Sequence, residues 1–222
     1  MADMNKLLGQ LLGSGAAGGF AGGLAGGLAG NLLSSKSGRK MGKKALKMGG
    51  IAAVGALAYA AYQRYSAGTP AGEQVAASQS KEPEFVPVPE GSPFLPAKED
   101  SAGQEALGLL LVRAMIAAAR SDGRLDAQES QAIFQRIESL GLDPESQSLL
   151  VAEMGRPVDI DAIVNSATSP EVAAEIYIAS LLAIDVDTAA EQSYLAMLAA
   201  RLNIPPDLAA ELRRQVEAQA TL

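Results

Sequence analysis

The chain has 222 residues, of which 48% are hydrophobic, 19% charged and 4% aromatic, and its formal net charge is −7. It holds no Cys, His or Trp, which excludes thiol nucleophiles, imidazole bases and zinc sites built on the usual ligands. The charge is unevenly spread: residues 1–65 carry eight Lys or Arg against the single acid Asp3, and residues 66–222 carry ten against twenty-four. A basic, apolar front joined to an acidic rear points to a lipid-facing segment that carries a soluble domain.

From Leu7 to Ser35 there is no charge, and between Gly18 and Gly30 pairs of glycines recur every four residues. Such glycine density opposes a helix in water, but in lipid small residues spaced by four let helices pack closely. The run therefore reads as a glycine zipper, through which copies of the chain could pair; a flexible Gly/Ala/Leu tail and a secretory signal core are the competing readings. Lys36, Arg39, Lys40, Lys43, Lys44 and Lys47 follow with no acid among them, as in a positive-inside loop held by lipid headgroups. No aromatic residue is interleaved and the rest of the chain is acidic, so no nucleic-acid partner is expected. Met48 to Tyr62 forms a second uncharged run, short for a span unless Lys47, Arg64 and the tyrosines extend it at the interfaces. Residues 1–65 thus read as a membrane-anchoring region.

Residues 66–100 hold six of the eleven prolines and should form an extended tether. The segments Glu84–Pro89 and Pro93–Pro96 could instead dock on a partner or fold back.

From Gly103 onward the apolar spacing is helical, as in Leu107, Leu110, Leu111, Ala114, Met115 and Ala118. Helices are expected at 103–120, 126–140, 143–154, 159–167, 170–184, 188–202 and 206–219, with no strand. Their starts are marked by Asp126 with Glu129, Ser169 before Pro170, and Thr188 with Glu191, and Gly141 suits a left-handed helix end. Two stretches look like copies. Ala114 to Glu129 parallels Ile176 to Glu191, and each is followed by a Leu-x-aliphatic-x-Pro turn, although the spacing from Asp122 to Glu129 exceeds that from Asp185 to Glu191 by one residue.

The run Ser121-Asp122-Gly123-Arg124-Leu125-Asp126-Ala127-Gln128-Glu129 resembles the acidic helix-loop-helix signature of the tellurite-resistance TerB-like family. Together with the Gly-rich front, the basic stretch, Ala183 to Asp187 and Glu191 to Leu195, it makes the whole chain similar to YebE-like bacterial inner-membrane proteins. The resemblance implies an all-α, TerB-like domain of about seven helices over 101–222 with two pseudo-symmetric helical pairs. It also implies an inner-membrane location, a link to stress or tellurite resistance and an acidic divalent-metal site. The second copy has Asp185-Val186 in place of the Asp-Gly of the first.

If the two copies pack about a pseudo-twofold axis, Asp122, Asp126 and Glu129 can converge with Asp185, Asp187 and Glu191. Clustered carboxylates suit Ca²⁺ or Mg²⁺. The competing reading is structural, since Asp126, Glu129, Thr188 and Glu191 are accounted for by helix capping, which leaves only Asp122 and Asp185 unexplained. No nucleophile or acid/base motif is visible, so an enzyme is not expected, and metal-assisted hydrolysis is the most remote option. The sequence reads as a membrane-anchored binding or scaffold module that presents an acidic surface to a protein partner, with a divalent-cation sensor as the alternative.

Overall fold

The computed structural model describes residues 4–13, 50–67, 88–121, 144–184, 186 and 188–220. Among them the chain is all-helical, with eight helices and, outside them, one isolated bridge between Ser92 and Leu95. The helices are α1 (Met4–Gly13), α2 (Gly50–Ser66), α3 (Ser101–Ala119), α4 (Pro144–Met154), α5 (Ile160–Asn165), α6 (Pro170–Ala183), α7 (Ala189–Arg201) and α8 (Pro206–Ala220). The expected helix at 126–140 and the Gly141 helix end lie outside the described residues.

The boundaries follow from local chemistry. Asp100 starts α3 by accepting from the Gly103 amide at 2.9 Å, and Asp159 starts α5 by accepting from the Ala162 amide at 2.8 Å. Ser169 accepts from the Val172 amide at 3.3 Å, and Pro170 opens α6, where a missing N–H costs nothing. Thr188 and Glu191 form a reciprocal capping box on α7. That helix ends in a Schellman turn: Asn203 is left-handed at φ 54°, the Ile204 amide donates to the Ala199 carbonyl at 2.9 Å, and the Asn203 amide donates to the Ala200 carbonyl at 3.2 Å. Pro205 and Pro206 then prevent any continuation.

At the centre, α6 packs against α3, α2, α8 and α7. It is apolar on nearly every side, with Ala173 to Ala183 all buried, as expected of a helix surrounded by others. Among the described residues α3 is the helix long and apolar enough to cross a bilayer, and half of it is buried in this core.

The glycine-rich run, the six cations and residues 68–87 lie outside the described residues, and the described parts of the front half pack with the rear helices. The run expected to span a membrane forms α2, and it lies in the core against α8, α1 and α6 with Ile51, Val54 and Ala58 fully buried. At its far end the Arg64 guanidinium stands 3.7 Å from Glu211 of α8. An uncharged Ala/Gly-rich helix suits a helical core as well as lipid, so composition alone does not separate the two settings. α1 crosses α2 very closely: a Cβ on Gly50 would fall 2.1 Å from the Leu8 Cβ and 2.3 Å from the Gly9 amide nitrogen. The end of the Pro-rich stretch folds back, as a strap from Val88 to Pro96. Val88 and Phe94 are buried, and the Phe94 ring meets Tyr59 and Tyr62 edge to face, with centroids 5.5 and 5.7 Å apart.

Candidate functional site

Of the six carboxylates expected as cation ligands, Asp122, Asp126, Glu129, Asp185 and Asp187 lie outside the described residues. Glu191 is described, and its carboxylate is engaged in capping: Oε2 accepts from the Thr188 amide at 3.0 Å and from the Thr188 hydroxyl at 2.8 Å. Among the described residues there is no group of three or more acidic side chains placed to hold a metal ion.

Two features that the sequence reading missed stand out. The first is a cleft of about 460 Å³ between α3, α5 and the end of α4. Its apolar wall includes Leu110, Ile116, Pro157, Val158 and Ile163, and its polar side is Arg113, Glu153, Arg156, Asp159 and Ser166. Arg113 grips the buried Glu153 carboxylate with two hydrogen bonds, from Nε at 2.8 Å and Nη2 at 3.1 Å, and Arg156 adds a third from Nη1 at 2.9 Å. The Arg113 bonds hold the Glu153 carboxyl below its usual range against the opposing effect of burial, and the positive charges of Arg113 and Arg156 help. Arg120 ties the end of α3 to the end of α4 by donating to the Met154 and Arg156 carbonyls at 3.3 and 2.9 Å. Both cleft arginines are partly exposed and keep N–H groups beyond those given to Glu153, so the cleft pairs an apolar wall with a polar edge that carries N–H donors beside the Glu153 and Asp159 carboxylates.

The second is Glu175, in the middle of α6. It is 0% exposed and neither carboxylate oxygen has a hydrogen-bond partner. Burial pushes its carboxyl well above the usual range, and the like charge of Glu171 adds to the rise. A signal was present in the sequence, because Glu175 is the only ionisable carboxyl between Val172 and Ile184 in an otherwise apolar helix. Similarly, Arg113 interrupts the apolar run from Leu107 to Ala119. Nearby on α7, burial raises the Tyr194 phenol to about 12, with a smaller opposing effect from Ser180.

The chain is 33% identical over 98 residues to an "Uncharacterized protein in ampR 5'region" of Yersinia enterocolitica, a match covering 44% of this chain and 70% of that protein. No solved structure matches the chain. A family model described as "Protein of unknown function (DUF533)" matches residues 7–216, from α1 through most of α8, and the chain belongs to this DUF533 family.

Proposed function

We propose that the protein is a membrane-attached helical binding module of the bacterial inner membrane, non-enzymatic, which presents its acidic helical unit to a protein partner. The observation that supports this reading is the close crossing of α1 and α2 at Gly50. The uncharged glycine-rich run and the six cations lie between these two helices in the sequence, so both ends of that insert return to one packed unit. A segment tied at both ends in this way meets a bilayer from one side, with its cations toward anionic headgroups, and a single pass ending in α2 would require α2 to leave the core. The recess that such a partner would enter is the cleft between α3, α4 and α5, with its apolar wall and its mixed edge of Arg113, Arg156, Glu153 and Asp159.

The test is a dual topology assay. Compartment reporters fused at the N-terminus and at the C-terminus of the full chain should both report the cytoplasm, and the protein should resist extraction by high salt. Reporters on opposite faces, or complete release by salt, would sink the proposal.

A second reading follows from the likeness to TerB-like and YebE-like proteins, with their stress link and acidic metal site. Glu191 is engaged in capping, which leaves Asp122, Asp126, Glu129, Asp185 and Asp187 for this reading, and Asp122 and Asp185 are the two substituted in its test. A Ca²⁺- or Mg²⁺-dependent rise in melting temperature that is lost in Asp122→Asn with Asp185→Asn would favour a cation sensor. Equal melting with cation and with EDTA would leave capping as a sufficient role for these turns.

A further inference from the structure

Glu175 differs from the other buried carboxyls among the described residues. Glu153, Glu191 and Glu211 all have polar partners, in Arg113, Thr188 and Gln215 respectively, whereas both Glu175 oxygens lack one. It faces a notch made by Gly55 of α2 and covered by the strap. A Cβ built on Gly55 would stand 3.0 Å from Glu175 Oε1 and 2.5 Å from the Phe94 carbonyl oxygen. Both oxygens border the space that a Cβ on Gly55 would fill. A carboxylic acid can donate its proton toward a carbonyl acceptor, whereas a carboxylate there meets only repulsion.

Among the described residues no neighbouring element supplies a compensating cation. On α2 the titratable groups are Tyr59 and Tyr62, which stack on Phe94, Tyr65, which packs edge to face on Tyr62, and Arg64, which is committed to Glu211. On α1, Lys6 is exposed. On the strap and the residues after it, Lys98 pairs with Glu90 at 2.6 Å, Glu99 is exposed and Asp100 caps α3. On α3, Glu105 is exposed, Arg113 holds Glu153, and Arg120 binds the carbonyls beyond α4. On α8, Arg213 donates to the Tyr177 hydroxyl at 3.1 Å, Arg214 pairs with Glu211, and Asp207 and Glu217 are acids. On α7, Arg201 pairs with Asp161, Glu191 caps the helix and Tyr194 is a neutral phenol. On α6 itself, Glu171 bears the same charge as Glu175.

Of the elements around the notch, the strap is the one that moves most cheaply. Helices α2 and α6 are buried along most of their length, whereas the strap is held by the buried Val88 and Phe94, the partly buried Leu95 and two aromatic edge contacts. Its backbone hydrogen bonds, from the Ser92 amide to the Pro89 carbonyl and from the Leu95 amide to the Ser92 carbonyl, are internal and can travel with it.

We propose that Glu175 and the strap form a proton-operated latch: the protonated carboxyl keeps the strap closed over α2, and loss of the proton lifts the strap, hydrates Glu175 and exposes Tyr59 and Tyr62. Between the ordinary carboxyl range and the point where the closed state itself ionises, each pH unit shifts the closed-to-open ratio about tenfold toward open.

The chain has no Trp, so Phe94→Trp places a single reporter on the strap. In full-length protein in detergent micelles, acrylamide quenching of this Trp should be weak at pH 5 and rise at least about twofold by pH 8. With Glu175→Gln added, a neutral side chain of the same shape, quenching should stay weak at both. A pH-independent signal with Glu175 present, or the same rise in the Glu175→Gln variant, overturns the latch. If Phe94→Trp does not fold, hydroxyl-radical labelling of Tyr59, Tyr62 and Phe94 in otherwise native protein, normalised to a free-tyrosine standard at each pH, decides the matter. Labelling must rise between pH 5 and pH 8 when Glu175 is present and hold steady in the Glu175→Gln variant, and any other pattern counts against the proposal.

Discussion

Glu153 and Glu175 are both buried carboxyls, yet their surroundings give them opposite pH behaviour. Glu153 has its folded value lowered by Arg113, so the stability it contributes is present above the ordinary carboxyl range and is lost as pH falls through the lowered value. Removing its charge should therefore cost about 2 kcal/mol at pH 7, the scale for hydrogen bonds to a charged group whose partners are partly exposed. Denaturant melts of Glu153→Gln against wild type should show that gap at pH 7 and little of it near pH 3. Glu175 has its value raised by burial, so it weakens the fold as pH rises above the ordinary carboxyl range. Glu175→Gln should accordingly raise the melting temperature by a few degrees at pH 8 and leave it unchanged at pH 4. An equal effect at both pH values would show that shape, not charge, matters there. Neither environment was legible in the sequence. A charge inside an apolar helix announces burial, but whether a cation faces it depends on which helix packs opposite.

Element boundaries were far more legible, because capping is a contract between residues three or four apart. Ser169 with Pro170 and Thr188 with Glu191 start α6 and α7 where expected, and the Leu-x-aliphatic-x-Pro turn ends α7. The Asn203 position tests how much of that ending is local. At φ 54° a β-branched side chain is strained, whereas glycine is at ease. Asn203→Val should destabilise the protein by about 1–2 kcal/mol and Asn203→Gly by no more than a few tenths, as read from paired thermal melts. Equal costs would mean that the Asn side chain, rather than the left-handed backbone, is what the turn requires. The folding back of the strap is the counter-example. Six prolines in 66–100 argue against a long helix, but the edge-to-face seating of Phe94 on Tyr59 and Tyr62 is a tertiary event that proline spacing does not encode.

At the scale of the whole molecule, the family match over 7–216 and the shared buried cluster agree that the apolar front belongs to the same inherited unit as the helices behind it. This part is ambiguous in the sequence for a physical reason: an uncharged helix of small residues satisfies the requirements of lipid and of a crowded helical core alike. The packed arrangement itself is tested at Gly50, where only a residue without Cβ lets α1 lie on α2. Gly50→Val would set a branched side chain against the Leu8 and Gly9 backbone, which cannot yield as a flexible side chain would. Overpacking of this kind costs about 1–3 kcal/mol, and it should free α1 while leaving the glycine-rich run and the six cations untouched. The expected result has two parts. Met4 to Gly13 should lose hydrogen-exchange protection relative to α6, and the protein should still pellet with membranes and resist salt if, as proposed, attachment resides in the segment between the two helices. If Gly50→Val instead releases the protein from the membrane, attachment depends on the α1–α2 pair itself, and the two apolar helices, rather than the insert between them, are the membrane-facing part.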